Sequence, residues 1–348
     1  MCGTVGLFLG CSAVSFCPKR VLADDASERA GGAGTGKEER GEIEYRSPFH
    51  SWYERSTVRR SPRRILTGQQ PGGYYFAPEL VPLARHSLIT ELRPELFDQV
   101  LIRQLLRYLH FTTVLENLVV NRTVLGIANG SIGVAVPDEM RLDAYKVYCD
   151  EAYHTLFSAD LAQQVQQATR MRSEELSEPF FLRRLRELLE EAPDDLAPLV
   201  EILFVVVSET LISAQLSEIP SSKQLIPAVR DVVRDHAVDE GRHHAYFAIF
   251  LRFLWGSLDA AQRRSAALYV PRLIRMFIDP DETSVHAELL SYGLSRDDAH
   301  RVVGELFPEE IVAAHARSTA RQTVRYFADL DVMDDGEIHE EFLKYGLL

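Results

Sequence analysis

What this chain can become is limited above all by two glutamates set inside apolar runs. Glu116 lies in Thr113-Val114-Leu115-Glu116-Asn117-Leu118-Val119-Val120. Glu209 lies between Ile202 and Ile212, where Ser208 and Thr210 are the other polar residues. Both runs read as helices buried nearly all round. A carboxylate buried alone costs several kcal/mol or stays protonated, so each needs something positive beside it.

Two further helices supply the complement. Glu151-Ala152-Tyr153-His154 and Glu240-Gly241-Arg242-His243 are both Glu-x-x-His. Three residues turn through about 300° on an α-helix, so each pair points to one side and can touch one metal centre. The step from Glu116 to Glu151 is 35 residues, and from Glu209 to Glu240 it is 31. This is an internal repeat of helix pairs. It matches the dimetal-carboxylate bundle, which takes one Glu from each of two helices and one Glu-x-x-His from each of the others. Four glutamates balance two divalent ions, and oxygen-rich ligation with a few imidazoles favours iron or manganese over structural zinc.

His236 breaks the repeat. It precedes Glu240 by four residues and His243 by seven, so all three share one stripe of the helix. The first half has Val147 at the corresponding place. The expectation is an extra nitrogen ligand for the second metal.

From about Pro94 the chain reads as successive helices: about 94–128, 137–168, 179–191, 194–219, 227–254, 258–278, 296–305 and 308–329. Residues 65–90, with Pro71-Gly72-Gly73, read as irregular. The expected class is all-α, a helix bundle with additional C-terminal helices. The first 64 residues differ in character. They carry a net charge of +3 against −16 for the remainder, with five glycines between residues 24 and 44. Residues 1–65 therefore read as a disordered extension and 66–348 as the helical domain.

A net charge of −13 argues against general nucleic-acid binding. No run approaches the ~18 apolar residues of a membrane span. Cys2, Cys11, Cys17 and Cys149 lack zinc spacing, and a reducing cytoplasm is the simpler setting. Several motifs in the chain are decoys. Residues 3–17 lack the basic start of a signal peptide. Gly31 to Lys37 imitates a P-loop, but Glu38 follows where Ser or Thr is needed. Met1-Cys2-Gly3 lacks the β-rich domain of an N-terminal-cysteine amidotransferase. Asp331 to Gly336 resembles an EF-hand start but has Met333 and no glutamate twelve positions in. His244 faces away from His243, and the remaining histidines fall outside the repeat.

With these residues in view, the sequence resembles the p-aminobenzoate N-oxygenase family of ferritin-like diiron oxygenases. The resemblance rests on Glu116, Asp150-Glu151-Ala152-Tyr153-His154, Ser208-Glu209-Thr210 and His236-x-x-Asp239-Glu240-x-x-His243, and covers about residues 70–330. It implies one iron on Glu116 and His154, and the other on Glu209, His236 and His243, with Glu151 and Glu240 bridging. It further implies O2 as co-substrate and oxidation of an aromatic amine through hydroxylamine toward a nitro product. A homodimer and a role in antibiotic biosynthesis follow from the same likeness. The chain has no flavin, nicotinamide or iron–sulfur motif, so electrons come from an external reductase or reductant.

Other readings compete. Carbon hydroxylation of a small biosynthetic intermediate uses the same ligands. Iron storage, as in ferritins, leaves the residues after 255 and His236 without a role. A radical-generating reductase subunit needs a tyrosine where Ser158 stands. A non-catalytic helical module leaves the buried glutamates unexplained. Tyr108, about 80° from Glu116 on the same helix, is a candidate for the substrate pocket. Arg103 and Arg107 are candidates for a substrate carboxylate or for solvent.

Overall fold

The computed structural model describes residues 43–67, 73–171, 178–216 and 224–348. Among these the chain is helical, with no strand beyond a single bridge between Tyr74 and Leu225. Helix α1 runs Phe97–Leu115 and passes through a π-turn, Glu116–Val120, into α2, Asn121–Asn129. Gly130 ends α2 in the left-handed conformation at φ 69°, the usual C-terminal stop. Helix α3 is Asp138–Thr169, α4 Phe180–Glu191, α5 Ala197–Leu216 and α6 Pro227–Ser257. Pro137 sets the entry to α3, and Asp138 and Glu139 favour its positive N-terminal end. Pro227 is the first residue of α6, where its missing N–H costs nothing.

Four long helices, α1, α3, α5 and α6, form the bundle. Helix α1 packs chiefly on α3, and α5 on α6. The middle of helix α5, from Ile202 to Ile212, is apolar nearly all round, and Val200 and Leu203 to Val207 are fully buried. Such a helix has no solvent face and must be central. Its outer neighbours are α4 and α8 (Val270–Ile278), joined by Phe111, Phe181, Phe204 and Phe277.

The C-terminal part is more broken than the sequence suggests. The helix expected over 258–278 divides into α7, Ala260–Ala267, and α8, because Pro271 starts a new helix. Helices α9, Glu282–Ser291, and α12, Gly336–Lys344, lie outside the expected spans. Between them lie α10, Arg296–Leu306, and α11, Glu309–Ala328. The acidic run at Asp331 to Gly336 is explained by α12: Asp335 accepts hydrogen bonds from the backbone of Glu337 and Ile338 as its N-cap.

The N-terminal boundary also moves. Residues 43–65, expected within the extension, pack on the bundle as a strap with single-turn helices Trp52–Arg55 and Thr57–Arg60. Phe49 and Trp52 are buried there. Charge and glycine content averaged over 64 residues concealed two aromatic anchors. Residues 1–42, with Cys2, Cys11, Cys17 and the three N-terminal decoy motifs, lie outside the described residues, as does Pro71-Gly72. Among the described residues no helix is long and apolar enough to cross a membrane.

Candidate metal centre

All seven sequence-derived candidates are buried in the bundle interior: Glu116, Glu151, His154, Glu209, His236, Glu240 and His243. Each comes from a helix whose local chemistry aims it inward. Glu116 begins the π-turn, where Asn121 N–H bonds to the Glu116 carbonyl. Such an extra residue re-aims the side chains that follow and recurs at functional sites. Glu151 and His154 sit on α3, Glu209 on α5, and His236, Glu240 and His243 on α6.

The side chains form two overlapping groups. Ligand-type atoms of Glu116, His154, His236 and Glu240 lie within 4.8 Å of one another, and so do those of Glu151, His154, Glu240 and His243. Glu209 stands at the edge of the second group, its Oε2 3.9 Å from His243 Nδ1. Glu151 faces both groups, with Oε2 3.1 Å from His154 Nδ1 and Oε1 2.8 Å from His243 Nδ1. Glu240 Oε1 is central, 3.2 Å from both His236 Nε2 and His243 Nδ1 and 3.6 Å from His154 Nδ1.

This arrangement corrects one expectation. His236 does not join Glu209 and His243. Its Nε2 is 2.9 Å from Glu116 Oε1, and its ring centroid is 4.4 Å from that of His154. Seven residues rise about 10.5 Å along a helix. His236 and His243 thus lie on opposite sides of Glu240 along α6, the first beside Glu116 and the second beside Glu151. A shared stripe fixed the direction of the two imidazoles but left their height along the axis out of account.

A cation fits these residues. Both oxygens of Glu116, Glu151 Oε1, Glu209 Oε2 and Glu240 Oε2 are buried with no hydrogen-bond partner. The close approaches of Glu116 Oε1 to His236 and of Glu151 Oε1 to His243 are within ion-pair range without hydrogen-bond alignment. Their lone pairs converge on common space, as ligands do. Unsatisfied buried carboxylate oxygens are costly, and four carboxylates with three imidazoles suit iron or manganese.

The electrostatics agree. Burial, partly offset by His236, pushes the Glu116 carboxyl up to about 7. Glu209 is raised well above the ordinary range by burial and by repulsion from Glu240 and Glu151. Burial also opposes charge on Glu151 and Glu240, but His243, joined by His154 for Glu151 and by His236 for Glu240, holds both below the usual range. Burial and His236 work against charge on His154, and hydrogen bonds to Asp239 and Glu151 carry it up to about 10. Among the protein groups alone the imidazoles hold protons for the carboxylates; metal binding displaces such protons.

The residues behind the candidate ligands entered the sequence reading only as members of the two motifs, with no role given to them. Asp239 Oδ2 lies 3.3 Å from His154 Nε2, and Asp150 Oδ2 lies 3.3 Å from His243 Nε2. The support is crossed: the aspartate preceding each motif glutamate holds the histidine of the other helix. The one available signal was an Asp before Glu in both motifs, and i,i+4 spacing from the histidine puts that Asp near the buried face. His236 differs, with Nδ1 3.3 Å from the Tyr108 hydroxyl.

A cavity of about 320 Å³ adjoins the centre. Phe111, Phe180, Phe181, Met276 and Phe277 give it an apolar wall, and Tyr108, Arg103, Arg107 and His110 also line it. None of the seven candidate ligands does, so Tyr108 separates the cavity from His236. Arg107 is ion-paired with buried Glu288, and Arg103 lies over the Tyr292 ring at 5.4 Å. His244 bonds to Tyr326 and His86 to Glu305, outside the centre.

A family model described as p-aminobenzoate N-oxygenase AurF matches residues 50–331. The 4-aminobenzoate N-oxygenase of Streptomyces thioluteus is 26% identical over 234 residues, which cover 66% of this chain and 68% of that enzyme. The family match takes in most of the chain, from the strap through all four bundle helices. The chain therefore belongs to the p-aminobenzoate N-oxygenase family of ferritin-like diiron oxygenases.

Proposed function

We propose that this chain is a diiron monooxygenase that N-oxygenates a small aromatic amine, through hydroxylamine toward a nitro product. The observation that carries the reading is the cluster of partnerless buried carboxylate oxygens facing three imidazoles. The relative's printed activity supports the choice of an arylamine. In this reading Glu116, His154 and His236 would hold one iron and Glu209 and His243 the other, with Glu151 and Glu240 shared by the two. Two bound ferrous ions supply the two-electron chemistry that O2 activation needs. O2 would be the co-substrate, and electrons would come from an external reductase or reductant.

The chain's own residues do the rest. Asp150 and Asp239 hold His243 and His154 in one ring orientation. The bundle excludes water, which limits side reactions. The cavity has room for a flat apolar ring against the wall formed by Phe111, Phe181 and Phe277, beside Tyr108. Holding the amine near the centre supplies proximity, a large share of the barrier in bimolecular reactions. The same reading takes the enzyme as a cytoplasmic homodimer serving antibiotic biosynthesis; sedimentation analysis checks the dimer.

The test is product analysis. Iron-loaded, chemically reduced protein is exposed to O2 with p-aminobenzoate and a panel of neutral and charged arylamines. Hydroxylamine and nitro products from at least one amine are expected. Ring-hydroxylated products alone move the assignment to a carbon hydroxylase, and iron uptake without any organic product moves it to iron oxidation.

A further inference from the structure

The strap lies across α3 and α6, the helices that carry the Glu-x-x-His pairs. Two of its polar groups turn inward. Trp52 sends its indole N–H to Asp150, 2.9 and 2.8 Å from the two carboxylate oxygens. Thr57 gives Asp239 its backbone N–H at 3.3 Å and its hydroxyl in a closer contact. Both strap residues are buried, and Asp150 and Asp239 are fully so. Each aspartate in turn stands behind one histidine, Asp150 behind His243 and Asp239 behind His154. Phe49, also on the strap, stacks on the His243 ring at 6.0 Å.

An imidazole that presents one nitrogen to a metal is oriented by whatever holds its other nitrogen. A buried carboxylate keeps its own place only if its remaining lone pairs have donors. The strap provides those donors, one set for each half of the centre. The two sets are unequal. Asp239 also takes a hydrogen bond from Arg242, whereas Asp150 takes its bonds from Trp52 and His243. Losing Trp52 therefore leaves Asp150 with less than losing Thr57 leaves Asp239.

We propose that Trp52 and Thr57 are positioning residues for the metal centre. Trp52 acts through Asp150 on the His243 position, and Thr57 acts through Asp239 on the His154 position. This rests on the two-iron reading above. It makes the N-terminal strap part of the metal site, though neither residue lies near Glu116 or Glu209 in sequence.

The test uses the full chain, titrated anaerobically with isotopically enriched ferrous iron and followed by Mössbauer spectroscopy, which reads the two positions separately. Helicity and the melting temperature of the metal-free protein are recorded alongside. Trp52→Phe keeps an aromatic ring and removes the donor; Thr57→Val removes the hydroxyl, and Thr57→Ser keeps it. Trp52→Phe is expected to weaken one iron position by about 10–100-fold and to alter its spectrum, leaving the other in place. Thr57→Val is expected to weaken the opposite position by about 10-fold, and Thr57→Ser to behave as wild type. Unchanged affinities and spectra overturn the proposal. So does a lower melting temperature with unchanged iron binding, which reduces the strap to packing. Should Trp52→Phe fail to fold, the Thr57 pair decides the matter alone. Wild-type protein that takes up fewer than two ions overturns the iron reading itself, and is seen before any substitution is made.

Discussion

His236 presents Nε2 to Glu116 Oε1 at 2.9 Å, although it shares a helix with Glu240 and His243. The contact joins α6 to the start of the π-turn after α1 and completes a three-sided position with His154. In the proposed two-iron reading the extra histidine would add to the position beside Glu116 and His154, and the other position would rest on Glu209, His243 and the shared glutamates.

His236→Ala should weaken the position beside Glu116 and His154 by at least roughly 10-fold and leave the His243 position loaded. Alanine is a strong helix former, so helicity should not change. Iron titration with circular dichroism checks both statements. Two ions bound at wild-type affinity would return His236 to an ordinary core histidine.

Glu209→Gln should act in opposite directions on folding and on metal. Glu209 Oε2 is buried without a partner and repelled by Glu240 and Glu151. A neutral amide of the same shape relieves that repulsion, so the metal-free chain should melt higher than wild type. The position beside His243 should lose affinity for iron. Denaturant melts of both chelator-treated proteins decide the first half; a lower stability in the variant contradicts the account.

Chelation should destabilise the wild-type chain. A ligand that binds the folded state alone adds about 2.7 kcal/mol at a hundredfold excess over its Kd. The iron-loaded protein should therefore melt several degrees above the chelated one, and the gap should grow with iron concentration. Coincident melts would show that the cluster does not bind the metal when folded.

Tyr108 should govern how well oxidation is coupled to substrate. Tyr108→Phe removes a hydroxyl 3.3 Å from His236 Nδ1, a change of about 1 kcal/mol that should weaken the adjacent position about fivefold without emptying it. Tyr108→Ala opens the cavity toward the centre and should cost about 3–5 kcal/mol of stability. It should also raise O2 consumption relative to product formed. Oxygen uptake measured beside product yield tests this, and an unchanged ratio in the Ala variant contradicts it.

Much of the centre could be read from sequence because burial and charge conflict there. Glutamates in apolar runs and repeated Glu-x-x-His pairs have few stable outcomes, and all seven residues do lie in one buried region. What escaped was long-range or axial. The position of His236 depended on its height along α6 rather than on its face. Trp52 and Thr57 lie 98 and 182 residues from Asp150 and Asp239, and no periodicity links them. The division at Pro271 and the cap at Asp335 were local, but each was masked by a competing pattern: an apolar run in one case, a calcium-like acidic string in the other.

Anomalous diffraction at the iron edge from anaerobically loaded crystals locates the ions among the candidate residues. Two iron peaks per chain are expected, one among Glu116, His154 and His236 and the other between Glu209 and His243, with Glu151 and Glu240 between them. A single peak, no peak, or His236 bound with Glu209 and His243 would contradict the two-iron reading.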